Sequence, residues 1–186
     1  HESLLHKFQL TKDFDEETYV KAIHDAGFKK LIITAKHHDG FCIWPSEMTT
    51  HDTETAGYEG DVLEELSRAC TKYNIDMGLY LSPWDVNSEY YGYKDKDGKK
   101  LVGADGQPLN GKTWDQVKQE DARDYNEYYD NQLKEILGND KYGNNGHFKE
   151  VWMDGAKDTN DKSNAQDYDF QRWFKTIQQY EGKASG

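Results

Sequence analysis

Apolar and polar positions along this chain change period repeatedly, from helical recurrence to short apolar runs and back. Over 15–26, Tyr19, Ala22, Ile23 and Ala26 share one face, acidic residues open the segment and Gly27 closes it. That pattern predicts a helix. The run Leu31-Ile32-Ile33-Thr34-Ala35 predicts a buried strand over 30–35. After a polar loop, Asp61 with Glu64 resembles a capping box, and Val62, Leu63, Leu66, Ala69, Cys70 and Tyr73 recur at helical spacing. A second strand is predicted over 75–81, stopping at Ser82-Pro83-Trp84-Asp85. The hydrophilic stretch 87–112 is an insertion, predicted to be a mobile loop or a small hairpin. Residues 115–137 are predicted to form one helix, Glu150-Val151-Trp152-Met153 a short strand, and 167–180 a last helix bearing Phe170, Trp173, Phe174, Ile177 and Tyr180.

Alternating helices and strands imply an α/β domain over 1–186, with a parallel sheet and right-handed crossovers. Each strand is short and mostly apolar, as expected where both sheet faces are covered. Three strands are too few to close a barrel of eight, so the pattern alone does not separate a barrel from an open sheet. No internal repeat of fixed period stands out.

All three strands end in residues suited to holding a sugar. The first delivers His37, His38 and Asp39, followed by Gly40, Phe41 and Trp44; the second delivers Tyr80, Trp84 and Asp85; the third delivers Trp152 and Asp154. Parallel α/β folds build their sites at such strand exits. Sugars need hydrogen-bonding groups for their hydroxyls and aromatic faces for their apolar ring surfaces. Each residue also has a plainer reading. Trp152 and Tyr80 suit a core, Asp154-Gly155 suits a turn, and Trp84 suits an anchor beneath the insertion. Their joint occurrence favours a sugar-binding rim.

Metal chemistry has weak support. Adjacent histidines diverge along an extended chain, and no H-x-H or H-x-x-x-H partner follows. Lys94-Asp95-Lys96-Asp97-Gly98 and Asp158-Thr159-Asn160-Asp161 faintly resemble calcium loops, without the ligand spacing or the closing Glu. No metal or cofactor is expected. Cys42 and Cys70 define no disulfide framework and read as small buried hydrophobes.

The hydrophobic share is a lean 35%, so 5 Trp, 13 Tyr and 7 Phe must supply much of the core. A net charge of −12 argues against nucleic acid or anionic membranes as partners. No apolar stretch approaches the roughly 18 residues that span a bilayer. Residues 1–15 are polar and mixed in charge, unlike a signal peptide.

Three segments carry a family resemblance: Ala35-Lys36-His37-His38-Asp39-Gly40-Phe41-Cys42-Ile43-Trp44-Pro45-Ser46, Gly78-Leu79-Tyr80-Leu81-Ser82-Pro83-Trp84-Asp85 and Val151-Trp152-Met153-Asp154-Gly155-Ala156. With a match that begins near Phe8 and runs through Asp15 and Gly27, they resemble the catalytic domain of glycoside hydrolase family 29, the retaining α-L-fucosidases. The Ser-Pro-Trp-Asp form looks like the branch that prefers α-1,3/1,4-linked fucose. The resemblance implies part of a (β/α)₈ TIM-like barrel, about its second to fourth βα units. It implies Asp154 as nucleophile, His37 and His38 on fucose hydroxyls, and Tyr80, Trp152, Trp44 and Trp84 lining the pocket. Retaining glycosidases need a second carboxyl about 5–5.5 Å from the nucleophile. In this family it lies on a later strand, which would fall beyond residue 186, and nothing in the spacing assigns the role to Asp39, Asp85 or Asp158.

The expected partner is a fucosylated oligosaccharide or glycoconjugate, and a secreted or cell-surface parent is implied. A partial barrel would expose two sheet edges, so the chain is expected either to belong to a longer protein or to pair with another copy. The alternative function is a non-catalytic sugar-binding or assembly fragment of the same fold. A third reading is a barrel glycosidase for another sugar, which would share Asp154 but not need the paired histidines.

Overall fold

The computed structural model describes residues 14–103, 105–156 and 165–181. Phe8 and the Asp158–Asp161 segment lie outside the described residues. The elements run α1 (Glu16–Asp25), β1 (Lys30–Lys36), α2 (Val62–Lys72), β2 (Asp76–Leu81), α3 (Trp114–Val117), α4 (Asp124–Leu137), β3 (Glu150–Trp152) and α5 (Phe170–Glu181).

The three strands form one parallel sheet in the order β1-β2-β3. Ile32 pairs with Gly78, Thr34 with Tyr80, and Tyr80 in turn with Trp152, so the three C-terminal ends lie side by side. Central β2 is nearly continuously buried, as its unbroken apolar run requires, whereas Leu31, Ile32 and Ile33 of β1 are half-buried.

Helix α2 follows its predicted stripe, burying Val62, Leu63, Leu66, Ala69 and Cys70. Asp61 caps it by accepting the Glu64 N–H at 3.1 Å. The other Asp61 oxygen takes the Tyr142 hydroxyl at 2.5 Å and faces the Lys141 ammonium at 3.4 Å. Both cysteines are buried and free.

Helix α1 corrects its expected face. Val20 is its buried residue and Ile23 is half-buried, while Tyr19, Ala22 and Ala26 are exposed. Burying the β-branched pair at i, i+3 removes more apolar surface from water than burying the alanines would.

The helix expected over 115–137 is two helices. A reciprocal capping box between Thr113 and Gln116 starts α3. Asp121 then pins the Arg123 backbone and guanidinium, and its carbonyl accepts the Lys94 N–H at 3.0 Å. That tie to the insertion breaks the helical ladder before α4 begins. The insertion is built of antiparallel bridges, Lys94 to Lys100 and Val102 to Pro108. Tyr93 and Leu101 pack with Val117 and Ala122 in a small core of their own.

Helices α4 and α5 pair through Trp173, whose ring lies 4.3 Å from Tyr129 and whose indole N–H reaches the Asn126 carbonyl at 3.0 Å. Phe174, expected on the same apolar face, is 53% exposed. Among the described residues no helix is long and apolar enough to cross a membrane.

Candidate active site

Strand β1 ends in a register shift between Thr34 and Lys36, which turns both Ala35 and Lys36 inward. His37 therefore leaves the sheet outward. The chain closes a tight turn in which the Gly40 N–H reaches the His37 carbonyl at 3.0 Å. Gly40 is required there: its φ is +76°, and a Cβ would stand 2.5 Å from Asp85 Oδ1. This bend overcomes the divergence expected of neighbouring histidines. The His37 and His38 rings meet edge to face at 4.3 Å.

Strand β2 places aromatic rings against both. Tyr80 stacks on His37 at 5.8 Å, and Trp84 stacks on His38 at 4.9 Å. Strand β3 adds Trp152, 6.3 Å from Tyr80 and 51% exposed. Asp154 follows two residues later. Its Oδ2 accepts the Tyr80 hydroxyl at 2.8 Å and its Oδ1 accepts the Gly155 N–H at 2.8 Å. Ser82 braces the arrangement, donating to the Asp154 carbonyl at 2.9 Å and accepting the Trp84 N–H at 3.2 Å. Gly155, at φ +83°, lets the chain pass Trp84 closely; a Cβ would lie 3.2 Å from the Trp84 Cβ.

Burial, together with the neighbouring Asp154 carboxylate, pushes the Tyr80 hydroxyl up to about 12. It therefore stays protonated, and a protonated hydroxyl can donate to a carboxylate. The cluster presents an oriented, exposed carboxylate beside two imidazoles and two accessible indole faces. Such a set can hold a sugar ring and attack one of its carbons.

Six expected residues thus come together: His37, His38, Tyr80, Trp84, Trp152 and Asp154. Trp44 does not join them. It is 1% exposed, with its indole N–H on Glu135 Oε2 at 3.0 Å. The loop after β1 folds back, as the Ile43 N–H bonds the Ala35 carbonyl and the Cys42 N–H bonds the His51 carbonyl. Trp44 is thereby carried into the core. Asp85 is likewise no rim residue but a buried partner of Lys36. Asp39 is exposed and accepts the Phe41 N–H at 3.2 Å, as a turn aspartate does.

Sequence reasoning missed Ser82 and the burial of Lys36. A lysine ending an apolar run was the available signal for Lys36, together with Tyr125, Tyr128 and Tyr129 at helical spacing on one face of α4. A groove of about 580 Å³ also opens between residues 46–55 and 87–90, with Tyr90 and Tyr128 on its wall. None of the six clustered residues lines it, and its size alone does not mark it as the site of chemistry. Among the described residues no group of three or more His, Cys, Asp or Glu side chains is poised to hold a metal.

The family model "Alpha-L-fucosidase" matches residues 1–183 of this chain. The chain belongs to the alpha-L-fucosidase family. This fucosidase-family chain is 38% identical over 169 residues to "Alpha-L-fucosidase 1" of Arabidopsis thaliana, a match covering 89% of this chain and 26% of that protein. Its fold is similar to a Ruminococcus gnavus family 29 fucosidase, an Asp-to-Ala mutant in complex with fucose. The TM-score is 0.78 at 56% identity, over 98% of this chain and 34% of that one. It is also similar to a Bacteroides thetaiotaomicron family 29 fucosidase trapped as a covalent intermediate with 2-fluoro-fucosyl fluoride in a Glu-to-Gln mutant. There the TM-score is 0.61 at 30% identity, over 82% of this chain and 30% of that one. The fucosidase-family chain therefore spans about a quarter to a third of the length of these relatives.

Proposed function

We propose that this chain is part of a retaining α-L-fucosidase that releases terminal α-linked fucose, with Asp154 as its nucleophile. The observation that carries the reading is the Asp154 carboxylate, exposed and hydrogen-bonded through both oxygens at the rim where the histidines and tryptophans gather. Two relatives support it: one was studied with fucose in an Asp-to-Ala mutant, the other as a covalent fluorofucosyl intermediate.

In the reaction, an Asp154 oxygen bonds the anomeric carbon as the glycosidic C–O bond breaks. The departing oxygen takes its proton from a second carboxyl group. Water, deprotonated by that same group, then cleaves the ester, and two inversions leave the configuration retained. His37 and His38 hydrogen-bond the fucose hydroxyls, and Trp84 and Trp152 cover its apolar face. Tyr80 holds the nucleophile in aim. Asp85, buried against Lys36, is not available as the acid/base, and nothing in the spacing or in the turn that holds Asp39 assigns the role to it.

The Ser82-Pro83-Trp84-Asp85 segment favours a 1,3/1,4 linkage. Three parallel strands in chain order, with helices between them, favour part of a (β/α)₈ barrel whose further strands cover the edges of β1 and β3. Pairing of this chain with a second copy is the alternative cover, and a monomeric mass of this chain at micromolar concentration in solution counts against it. Fucosylated glycans of host or plant surfaces are met outside the cell, so the parent is read as secreted or cell-surface.

The test is intact-protein mass spectrometry after incubation with 2-fluoro-fucosyl fluoride. The expected result is a gain of one fluorofucosyl unit on Asp154, lost in Asp154→Ala. An adduct on the parent but not on this chain means that this segment alone is inert. Absence of an adduct from both overturns the nucleophile assignment and leaves a non-catalytic sugar-binding role.

A further inference from the structure

Directly beneath the rim lies an ion pair that takes no part in the chemistry above. Lys36, fully buried at the end of β1, donates to Asp85 Oδ2 at 3.2 Å, to the Tyr125 hydroxyl at 3.2 Å and to Gln132 Oε1 at 2.8 Å. The rings of Tyr125, Tyr128 and Tyr129 surround the same nitrogen at 5.2–5.4 Å. Desolvating an ammonium and a carboxylate together is a poor route to stability, since apolar side chains of similar volume often do as well. In some proteins such a pair instead fixes the geometry between the chain segments that carry it.

Those segments are the two exits that build the sugar-facing rim. Lys36 immediately precedes His37 and His38, and Asp85 immediately follows Trp84. The second Asp85 oxygen accepts the Asn87 and Ser88 N–H groups at 3.0 and 2.8 Å, fixing the loop beyond Trp84. Backbone bonds cross between the exits on either side of the pair. The Ser82 N–H reaches the Lys36 carbonyl, and the Val86 N–H reaches the His38 carbonyl, both at 2.9 Å. Gly40 exists as glycine because its backbone presses on this same Asp85 carboxylate.

We propose that Lys36 and Asp85 are positioning residues: their buried pair sets the spacing of the His37–His38 edge against Trp84, and through it the affinity for the fucosyl ring. The identity of the sugar rests on the fucosidase reading. The pair acts on binding more than on turnover. Asp154 is carried by β3 and oriented by Tyr80, whose place comes from the β-ladder on both of its sides. Loosening the His38–Trp84 face weakens contacts made alike in the ground and transition states, which raises KM and spares kcat.

The experiment uses the full-length parent with 4-nitrophenyl α-L-fucoside as substrate and free fucose as inhibitor. Lys36→Met and Asp85→Asn are each expected to raise KM and the fucose inhibition constant about tenfold or more, with kcat within about threefold. Tyr125→Phe removes one hydroxyl from Lys36 and is expected to raise KM by about two- to fourfold. It carries the test if the stronger variants do not fold. Glu135→Gln, which loosens the buried Trp44–Ser46 segment instead, should lower the melting temperature with KM unchanged. Variants that lose only thermal stability, with KM at the wild-type value, overturn the proposal. So does a fall in kcat at constant KM. If the wild-type parent does not cleave the substrate, the fucosidase reading fails rather than the clamp. The clamp is then decided by hydrogen exchange at the Val86 and Ser88 amides, expected to quicken in Asp85→Asn and not in Glu135→Gln; unchanged exchange overturns it.

Discussion

Tyr80 shows how much a single side chain does at this site. Its ring stacks on His37 and its hydroxyl holds Asp154. Tyr80→Phe keeps the ring and deletes the donor. A hydrogen bond to a charged group contributes about 1.5–3 kcal/mol, so kcat/KM on an aryl fucoside should fall by about 10- to 100-fold, with the fold intact by circular dichroism. The hydroxyl also sets an alkaline dependence. Its value rises from the ordinary 10.0 to about 12, so the protonated form is favoured on folding. The stability this contributes is complete below pH 10 and is lost as pH rises toward about 12. In an alkaline stability titration, Tyr80→Phe should remove that component. Trp44 makes the opposite case. It was legible as an aromatic just past the first strand, but its burial was not, because burial depends on Glu135, 91 positions away. Trp44→Phe should cost about 1.5–3 kcal/mol in chemical denaturation through the lost bond to the Glu135 carboxylate, with fucose affinity unchanged.

At the scale of elements, local pattern was a good guide where one interaction dominates. The apolar stripe of α2 and the unbroken run of β2 are buried as their periods require. The pattern misled where a tertiary tie competes with local preference. Residues 115–137 have helical periodicity throughout, but Asp121 is held to Lys94 of the insertion and the ladder breaks. On α5, Trp173 and Phe174 are equally apolar in sequence, and only packing against Tyr129 selects Trp173. The exit of β1 adds a third device, a register shift followed by a left-handed glycine. Gly40→Ala forces a Cβ into that conformation and onto Asp85. The left-handed strain alone costs about 1–2 kcal/mol, and a loss of at least that size in urea unfolding is the expected result.

For the whole molecule, chain order and the gathering of polar and aromatic side chains at the strand ends were legible in the sequence. Helix–strand alternation implies a parallel sheet, a parallel sheet aligns its strand exits, and His37, His38, Tyr80, Trp84, Trp152 and Asp154 all lie at or near those exits. Periodicity and turn residues act within a few positions, so a one-dimensional reading captures them. Only the tertiary structure decided which polar groups are interior. Lys36, Asp85 and Gln132 meet across 49 and 96 positions, and no local pattern records that meeting. The physical reason is that a charged side chain enters a core only when partners from distant segments replace its lost water. Sequence therefore determined which groups stand at the strand exits, and packing determined which of them stay at the rim, which, like Trp44, enter the core, and what holds them in place.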